Sequence, residues 1–328
     1  MSGENSKLRE ILHRLQRCRR ILIVGHLSPD GDCIGGAIGF AELAEKLGVS
    51  SLIFNHDPVP DGLSELPGAE KIRCGHSLPD DFPAAFDLVV CMECPSPDRT
   101  GFDSLHRLPI LNIDHHRANT EYGEINFLDE EAPAVGEMVW RLFNLAPVQP
   151  SKETSTALFA ALSTDTGDFR YSNATGDAFR AAAEMVEWGA DPTLVAELVH
   201  QRRSVGSVRL MGEALRTLRL DSDGRLAGIE VDPGAFARSG ASPSDTDEIV
   251  NLPRSIAGVE IVAFFKQLEE GSVRVSLRSK GKLDIRSVAV SFGGGGHTNA
   301  AGCTIAGTMN HAREQLLPRL KALLGDQA

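Results

Sequence analysis

The sequence predicts an α/β protein: an N-terminal parallel-sheet domain with flanking helices, followed by a smaller C-terminal α+β domain. Three observations lead there. Short apolar runs alternate with helical patterns through the first half, which is the signature of a parallel sheet. Beyond about residue 218, strand-like runs follow one another and end in a glycine-rich turn and a final helix, as in a smaller domain with an antiparallel component. The 328 residues, 42% of them hydrophobic, can fill two medium cores.

Taken in order, Arg20–Gly25, Ser51–Asn55, Phe86–Met92 and Leu108–Ile113 read as strands, and Gly35–Leu47 and Ala134–Phe143 as helices. From Ser151 the pattern turns helical through Thr154–Leu162, Gly176–Trp188, Thr193–His200 and Val205–Leu218. Three strands are then expected at Arg225–Val231, Glu260–Leu268 and Ser272–Arg278, the glycine turn at Gly293–Gly296, and a helix at Asn310–Leu324. The boundary is expected in the helical stretch near Asp191–Arg219, giving domains over 1–190 and 219–328 with a helical linker over 191–218.

Thirty-three Lys and Arg against 45 Asp and Glu leave a net charge of −12. That balance argues against general neutralisation of a long duplex, while a small anionic substrate fits a local positive patch. The polar N-terminus and the short run Ile21–Val24 give neither a signal-peptide core nor a membrane span, so a cytoplasmic protein without membrane contact is expected. Six scattered cysteines suit a reducing compartment. Cys91 and Cys94 form the one C-x-x-C pair; with no second pair and Pro95 ending the strand, they read as thiols filling small spaces.

The chemistry-bearing residues sit where elements end. The first strand runs into His26-Leu-Ser-Pro-Asp30-Gly-Asp32, in which Pro29 and Gly31 bend the backbone so that one imidazole and two carboxylates can converge. Ligands bind at the carboxyl ends of strands in such sheets. Mixed nitrogen and oxygen ligands suit manganese, magnesium, zinc or iron. Asp30 also fits a plain helix cap. A second strand end carries Asp114-His115-His116, a third delivers Glu93 with Arg99 following, and a helix end carries Ser163-Thr-Asp165-Thr-Gly-Asp-Phe-Arg170. Six ligands, His26, Asp30, Asp32, Glu93, His115 and Asp165, serve two metals if one carboxylate bridges.

His-x-x-x-Asp-x-Asp, the Asp-His-His triplet at 114–116 and Thr-Asp-Thr-Gly-x-Phe-Arg resemble the motifs of the DHH phosphoesterase family. Ser276-Leu-Arg278-Ser279 and Gly293-Gly-Gly-Gly-His297-Thr-Asn-Ala-Ala-Gly302 resemble that family's DHH-associated substrate-binding domain. The likeness runs from about His26 to about Gly302, with the motifs in the family's order. Length and paired domains are most similar to the branch of oligoribonucleases (nanoRNases) and phosphatases of 3′-phosphoadenosine 5′-phosphate (pAp).

The resemblance implies an active site in the cleft between the domains and two divalent ions, manganese first, with magnesium, cobalt or iron compatible. The first metal would fall to His26, Asp30 and Glu93, the second to Asp32, Glu93, His115 and Asp165. The family usually has Asp where Glu93 stands. Asp114, His116, Arg99 and Arg170 would take the catalytic roles: His116 as donor to the scissile phosphate, Asp114 as the partner orienting a ligand imidazole. Arg278, Ser279, Gly294, Gly295, Gly296 and His297 would bind substrate. The implied activity is hydroxide attack in line on short single-stranded RNA, releasing mononucleotides, or on pAp, releasing AMP. No duplex binding is expected, and a homodimer is left open. The alternatives are a phosphodiesterase of linear or cyclic dinucleotides, of the c-di-AMP and pApA type, and a nucleotide-binding regulatory module without turnover.

Overall fold

The computed structural model describes residues 2–246, 249–267 and 271–325, without the side chains of residues 2–4 and 297. The chain divides into two compact units, residues 1–202 and 203–328. Among the described residues no helix is long and apolar enough to cross a membrane.

The first unit holds β1 (Arg20–Val24), β2 (Ser50–Asn55), β3 (Arg73–Cys74), β4 (Leu88–Met92), β5 (Ile110–Asp114) and β6 (Ile125–Leu128). Its helices are α1 (Ser2–Leu15), α2 (Gly31–Lys46), α3 (Val135–Leu145), α4 (Lys152–Asp165), α5 (Gly176–Glu187) and α6 (Pro192–His200). All pairings are parallel, in the order β3-β2-β1-β4-β5-β6. The direction of winding reverses between β1 and β4, which opens a crevice at the carboxyl ends of those strands.

The central strands read as unbroken apolar runs because both faces are covered. Ile21, Ile23, Val90, Met92 and Ile113 face the helices, and Leu22, Val24, Val89 and Cys91 face the opposite layer. Helix α1 is an addition to the expected elements, in the polar N-terminus; Leu8, Ile11 and Leu15 recur at helical spacing and are buried. Helix α2 starts at Gly31, four residues before the expected Gly35, because Asp30 caps it by accepting from the Asp32 and Cys33 N–H groups. Strand β6 is a second addition, hard to see in sequence because only alternate residues of Ile-Asn-Phe-Leu are buried in its four positions.

The second unit comprises α7 (Val205–Arg216), β7 (Arg219–Asp221), β8 (Leu226–Val231), α8 (Pro233–Ser239), α9 (Asn251–Arg254), β9 (Ile261–Lys266), β10 (Ser272–Ser279), α10 (Ile285–Val290), β11 (Gly295–His297), β12 (Ala300–Ala306) and α11 (Met309–Leu323). Its mixed sheet runs β11-β12-β10-β9-β8-β7, with β8 and β9 parallel and the other pairs antiparallel. Strands β8, β9 and β10 match the three expected here. Strands β11 and β12 do not announce themselves, since Gly-Gly-His and Ala-Ala-Gly-Cys-Thr-Ile-Ala lack β-branched density. Leu268, the expected end of the second of these strands, lies outside the described residues.

Candidate metal centre and glycine groove

The strand ends of the first unit bring most of the expected residues together. Among the described residues, ligand atoms of Asp32, Glu93, His115 and Asp165 all lie within 4.8 Å of one another, as do those of His26, Cys33 and Glu93, and those of Glu93, His115 and His116. Glu93 belongs to every one of these groups. Its backbone sits in the left-handed region at φ 58°, which turns the residue after β4 back over the strand end.

Backbone carbonyls set the two imidazoles. His26 Nδ1 donates to the Leu27 carbonyl at 2.8 Å, and His115 Nδ1 to the Ala132 carbonyl at 3.0 Å. A carbonyl only accepts, so in the neutral rings the lone pair is on Nε2, the tautomer a metal-binding histidine needs. His26 Nε2 faces Glu93 Oε2 at 3.5 Å and Asp30 Oδ1 at 3.8 Å. His115 Nε2 faces Asp165 Oδ2 at 3.8 Å, Asp32 Oδ2 at 3.9 Å and Glu93 Oε1 at 4.0 Å. These separations suit atoms that share an ion rather than a hydrogen bond.

Asp32, 1% exposed, is held by the N-terminus of α3: Val135 N–H donates to Oδ2 at 2.6 Å and Gly136 N–H to Oδ1 at 2.8 Å. A helix N-terminus is a favourable place for an anion. Asp30 serves both readings of it, capping α2 while standing near His26. Asp114 orients a different imidazole from the one expected. Its Oδ1 accepts from His116 Nδ1 at 2.8 Å, while the Ala132 carbonyl holds His115.

The charges are out of balance. Burial, then the fields of Asp30 and Asp32, pushes the Glu93 carboxyl well above the usual range. Burial and the neighbouring Asp165 push Asp32 up to about 8, and burial also raises Asp165. For His115, burial opposes the charge, and Asp32 and Asp165 outweigh it to raise the imidazole. Among the described residues Glu93 Oε2 is buried without a hydrogen-bond partner. An orphaned buried carboxylate oxygen among acids and two Nε2 atoms is a donor set that fits divalent cations.

The Arg99 carbonyl accepts from the Leu27 N–H at 2.7 Å. Burial opposes the charge of His26, Asp30 outweighs it to raise the imidazole, and the Arg99 charge is a smaller opposing influence. Arg170 is mostly exposed and donates to the Gly167 carbonyl at 2.7 Å and Asp168 Oδ2 at 2.8 Å. Asp168 is a polar contact that the motif reading does not single out; it also accepts from Ser163 Oγ at 3.0 Å and lies 2.9 Å from His200 Nε2. Cys33 is another such residue, although its place three residues after Asp30 on α2 is readable. Cys91 and Cys94 are free and buried, and burial pushes Cys91 up to about 12, in keeping with thiols that fill space.

In the second unit a groove of about 650 Å³ is lined by Arg274, Ser276, Arg278, Gly293–Gly296 and the facing part of β12. The Gly294 position admits no side chain: a Cβ there would lie 2.1 Å from the Gly302 carbonyl oxygen. At Gly295 a Cβ would meet nothing within 4 Å. Ser279 lies outside the groove lining and instead braces the turn, donating to the Leu283 carbonyl at 2.8 Å and accepting from Asn299 Nδ2 at 2.7 Å. His297 is on β11, and its side chain lies outside the described residues.

A parallel sheet with His26 and Glu93 at the strand ends flanking its switch point, an Asp-His-His end on the next strand, and a glycine-groove unit in the same chain define a class. The DHH family N-terminal domain matches residues 20–162 and the DHHA1 domain matches residues 231–326, and the chain belongs to the DHH family. Among its relatives is the bifunctional oligoribonuclease and PAP phosphatase NrnA of Thermus thermophilus, 32% identical over 304 residues, covering 92% of this chain and 89% of that protein. The cyclic-di-AMP phosphodiesterase GdpP of Geobacillus thermodenitrificans is 26% identical over 90% of this chain and 46% of that protein. An exopolyphosphatase-related protein from Bacteroides fragilis has the same fold, with a TM-score of 0.88, 26% identity and 98% of each chain covered.

Proposed function

We propose that the chain is a metal-dependent phosphoesterase that hydrolyses short oligoribonucleotides to mononucleotides and pAp to AMP. The observation that carries this reading is the convergence of ligand atoms of Asp32, Glu93, His115 and Asp165 within 4.8 Å of one another, on a Glu93 whose Oε2, among the described residues, is buried without a hydrogen-bond partner. The NrnA relative, similar over nearly the full length of both chains, supports the substrate class.

In this reading His26, Asp30 and Glu93 hold one divalent ion, and Asp32, Glu93, His115 and Asp165 the other, with manganese the first choice. Bound there, two such ions supply a water nucleophile at neutral pH and neutralise phosphoryl charge. His116, fixed through Nδ1 by Asp114, presents Nε2 to the phosphate, and with both ring nitrogens protonated it would donate there. Arg99 and Arg170 add positive charge at its edge. Arg278 and the glycine backbone of the second unit take a phosphate away from the metals, and an extended single strand suits them better than a duplex. The six free cysteines suit a reducing compartment, and the cytoplasm is the setting proposed.

The GdpP relative favours one further substrate class, dinucleotides. A turnover panel separates the two: pAp, RNAs of two to five nucleotides, linear pApA and cyclic di-AMP, each with manganese. Release of mononucleotides from the RNAs and of AMP from pAp is expected. Turnover confined to dinucleotides would move the substrate, and binding without release would remove the enzyme reading.

A further inference from the structure

The metal loop at the end of β1 is suspended at both sides by groups outside the donor set. On one side the Leu27 N–H donates to the Arg99 carbonyl at 2.7 Å. On the other, Ser28, with its backbone in the left-handed region at φ 54°, donates its N–H to Asp57 Oδ2 at 2.7 Å. A serine at such a φ is held there by its surroundings. Asp57 stands just beyond the carboxyl end of β2, the neighbour of β1 in the sheet.

The second oxygen of Asp57 is engaged as well. His56 Nδ1 donates to Asp57 Oδ1 at 2.7 Å, and His56 Nε2 lies 3.2 Å from His76 Nδ1. Because a carboxylate only accepts, the proton of neutral His56 is on Nδ1, and Nε2 accepts from His76. The His56 ring is a wall of the loop's seat: a Cβ at Gly101 would lie 2.7 Å from Leu27 Cδ2 and 2.8 Å from the His56 ring. The hydrogen bonds from His56 and Ser28 hold the Asp57 carboxyl below the usual range, so it is an anion at neutral pH.

We propose that Asp57 is a positioning residue for the first metal: it fixes the Ser28 peptide and the His56 ring, and so aims His26 and Asp30, which flank Ser28 in sequence. The inference rests on the metal-centre reading above. Nothing in the sequence motifs includes Asp57; it acts through the loop and is not in the donor set.

The test is titration of metal-free protein with manganese, following heat of binding and stoichiometry, beside Tm. Asp57→Ala is expected to weaken one of two sites by about tenfold, the scale of lost support behind a ligand, leaving the other site and the metal-free Tm close to the parent. Asp57→Asn keeps an oxygen for Ser28 and lets the His56 ring take its other tautomer, so it should rescue most of the affinity. At saturating manganese, kcat of Asp57→Ala should return toward the parent with KM unchanged. Two parent-like sites in Asp57→Ala, or equal loss at both sites together with a lowered Tm, would overturn the positioning role. A parent that takes up no manganese would instead overturn the metal-centre reading on which it rests.

Discussion

The two units build their candidate sites in opposite ways. In the first, the site is made of side chains whose charges are buried and whose orientations are set by backbone partners, as with Asp32 on the Val135 and Gly136 N–H groups and His115 on the Ala132 carbonyl. In the second, the groove is made by leaving side chains out, and Gly294 approaches the Gly302 carbonyl as no other residue could. A site of buried charge fails when one charge is removed, because its neighbours are then unbalanced. A backbone groove weakens by degrees.

The largest effect should therefore come from the first unit. Asp32→Ala and His115→Ala are expected to lower kcat on the order of a thousandfold or more, about 4 kcal/mol of barrier, while circular dichroism shows the fold retained. Activity near the parent in either variant would break the contrast at its stronger end.

In the second unit, Arg278→Ala and Gly295→Ala, whose added Cβ meets no neighbour within 4 Å, should raise KM by roughly tenfold, with kcat less affected and metal content unchanged. Steady-state kinetics on a dinucleotide with elemental analysis checks both. Loss of metal from either variant would show that the units do not divide the work in this way.

A smaller effect concerns stability. Asp32 is raised to about 8 when folded, and its unfolded value is near 4, so the folded metal-free chain binds more protons between those values. Its stability is then fullest below about pH 4 for this group and is lost as pH rises toward about 8. Differential scanning of metal-free protein should show Tm falling from about pH 5.5 to about pH 8, with added manganese restoring more at the higher pH. A Tm that rises over that range would contradict the buried-acid picture.

The same contrast explains what is legible in the sequence. The donors of the first unit are readable because each lies in a short motif at a strand or helix end: His26 to Asp32 after β1, Glu93 after β4, Asp114 to His116 after β5, Asp165 at the end of α4. What holds them is not readable. The Asp32 carboxylate meets N–H groups more than a hundred residues away, and Asp57 meets Ser28 from the next strand. Such pairings exist only once the strand order is set, and no local pattern encodes them. In the second unit the glycines announce the groove, but β11 and β12, poor in β-branched residues, do not announce the sheet it stands on. Ser279 matches a motif and yet braces a turn instead of lining the groove.

Among the described residues Glu93 belongs to every ligand group, and its Oε2 is buried with no hydrogen-bond partner. The decisive measurement is metal content by elemental analysis, taken beside turnover, for Glu93→Gln and Glu93→Asp. If Glu93 joins two metals, the Gln variant loses metal occupancy and turnover together, because a charge between two cations is gone. The Asp variant keeps measurable activity with a changed manganese-to-magnesium preference, as the shorter arm alters the bridge. A Gln variant that holds two metals per chain and turns over like the parent would contradict the bridging role and the two-metal centre built on it.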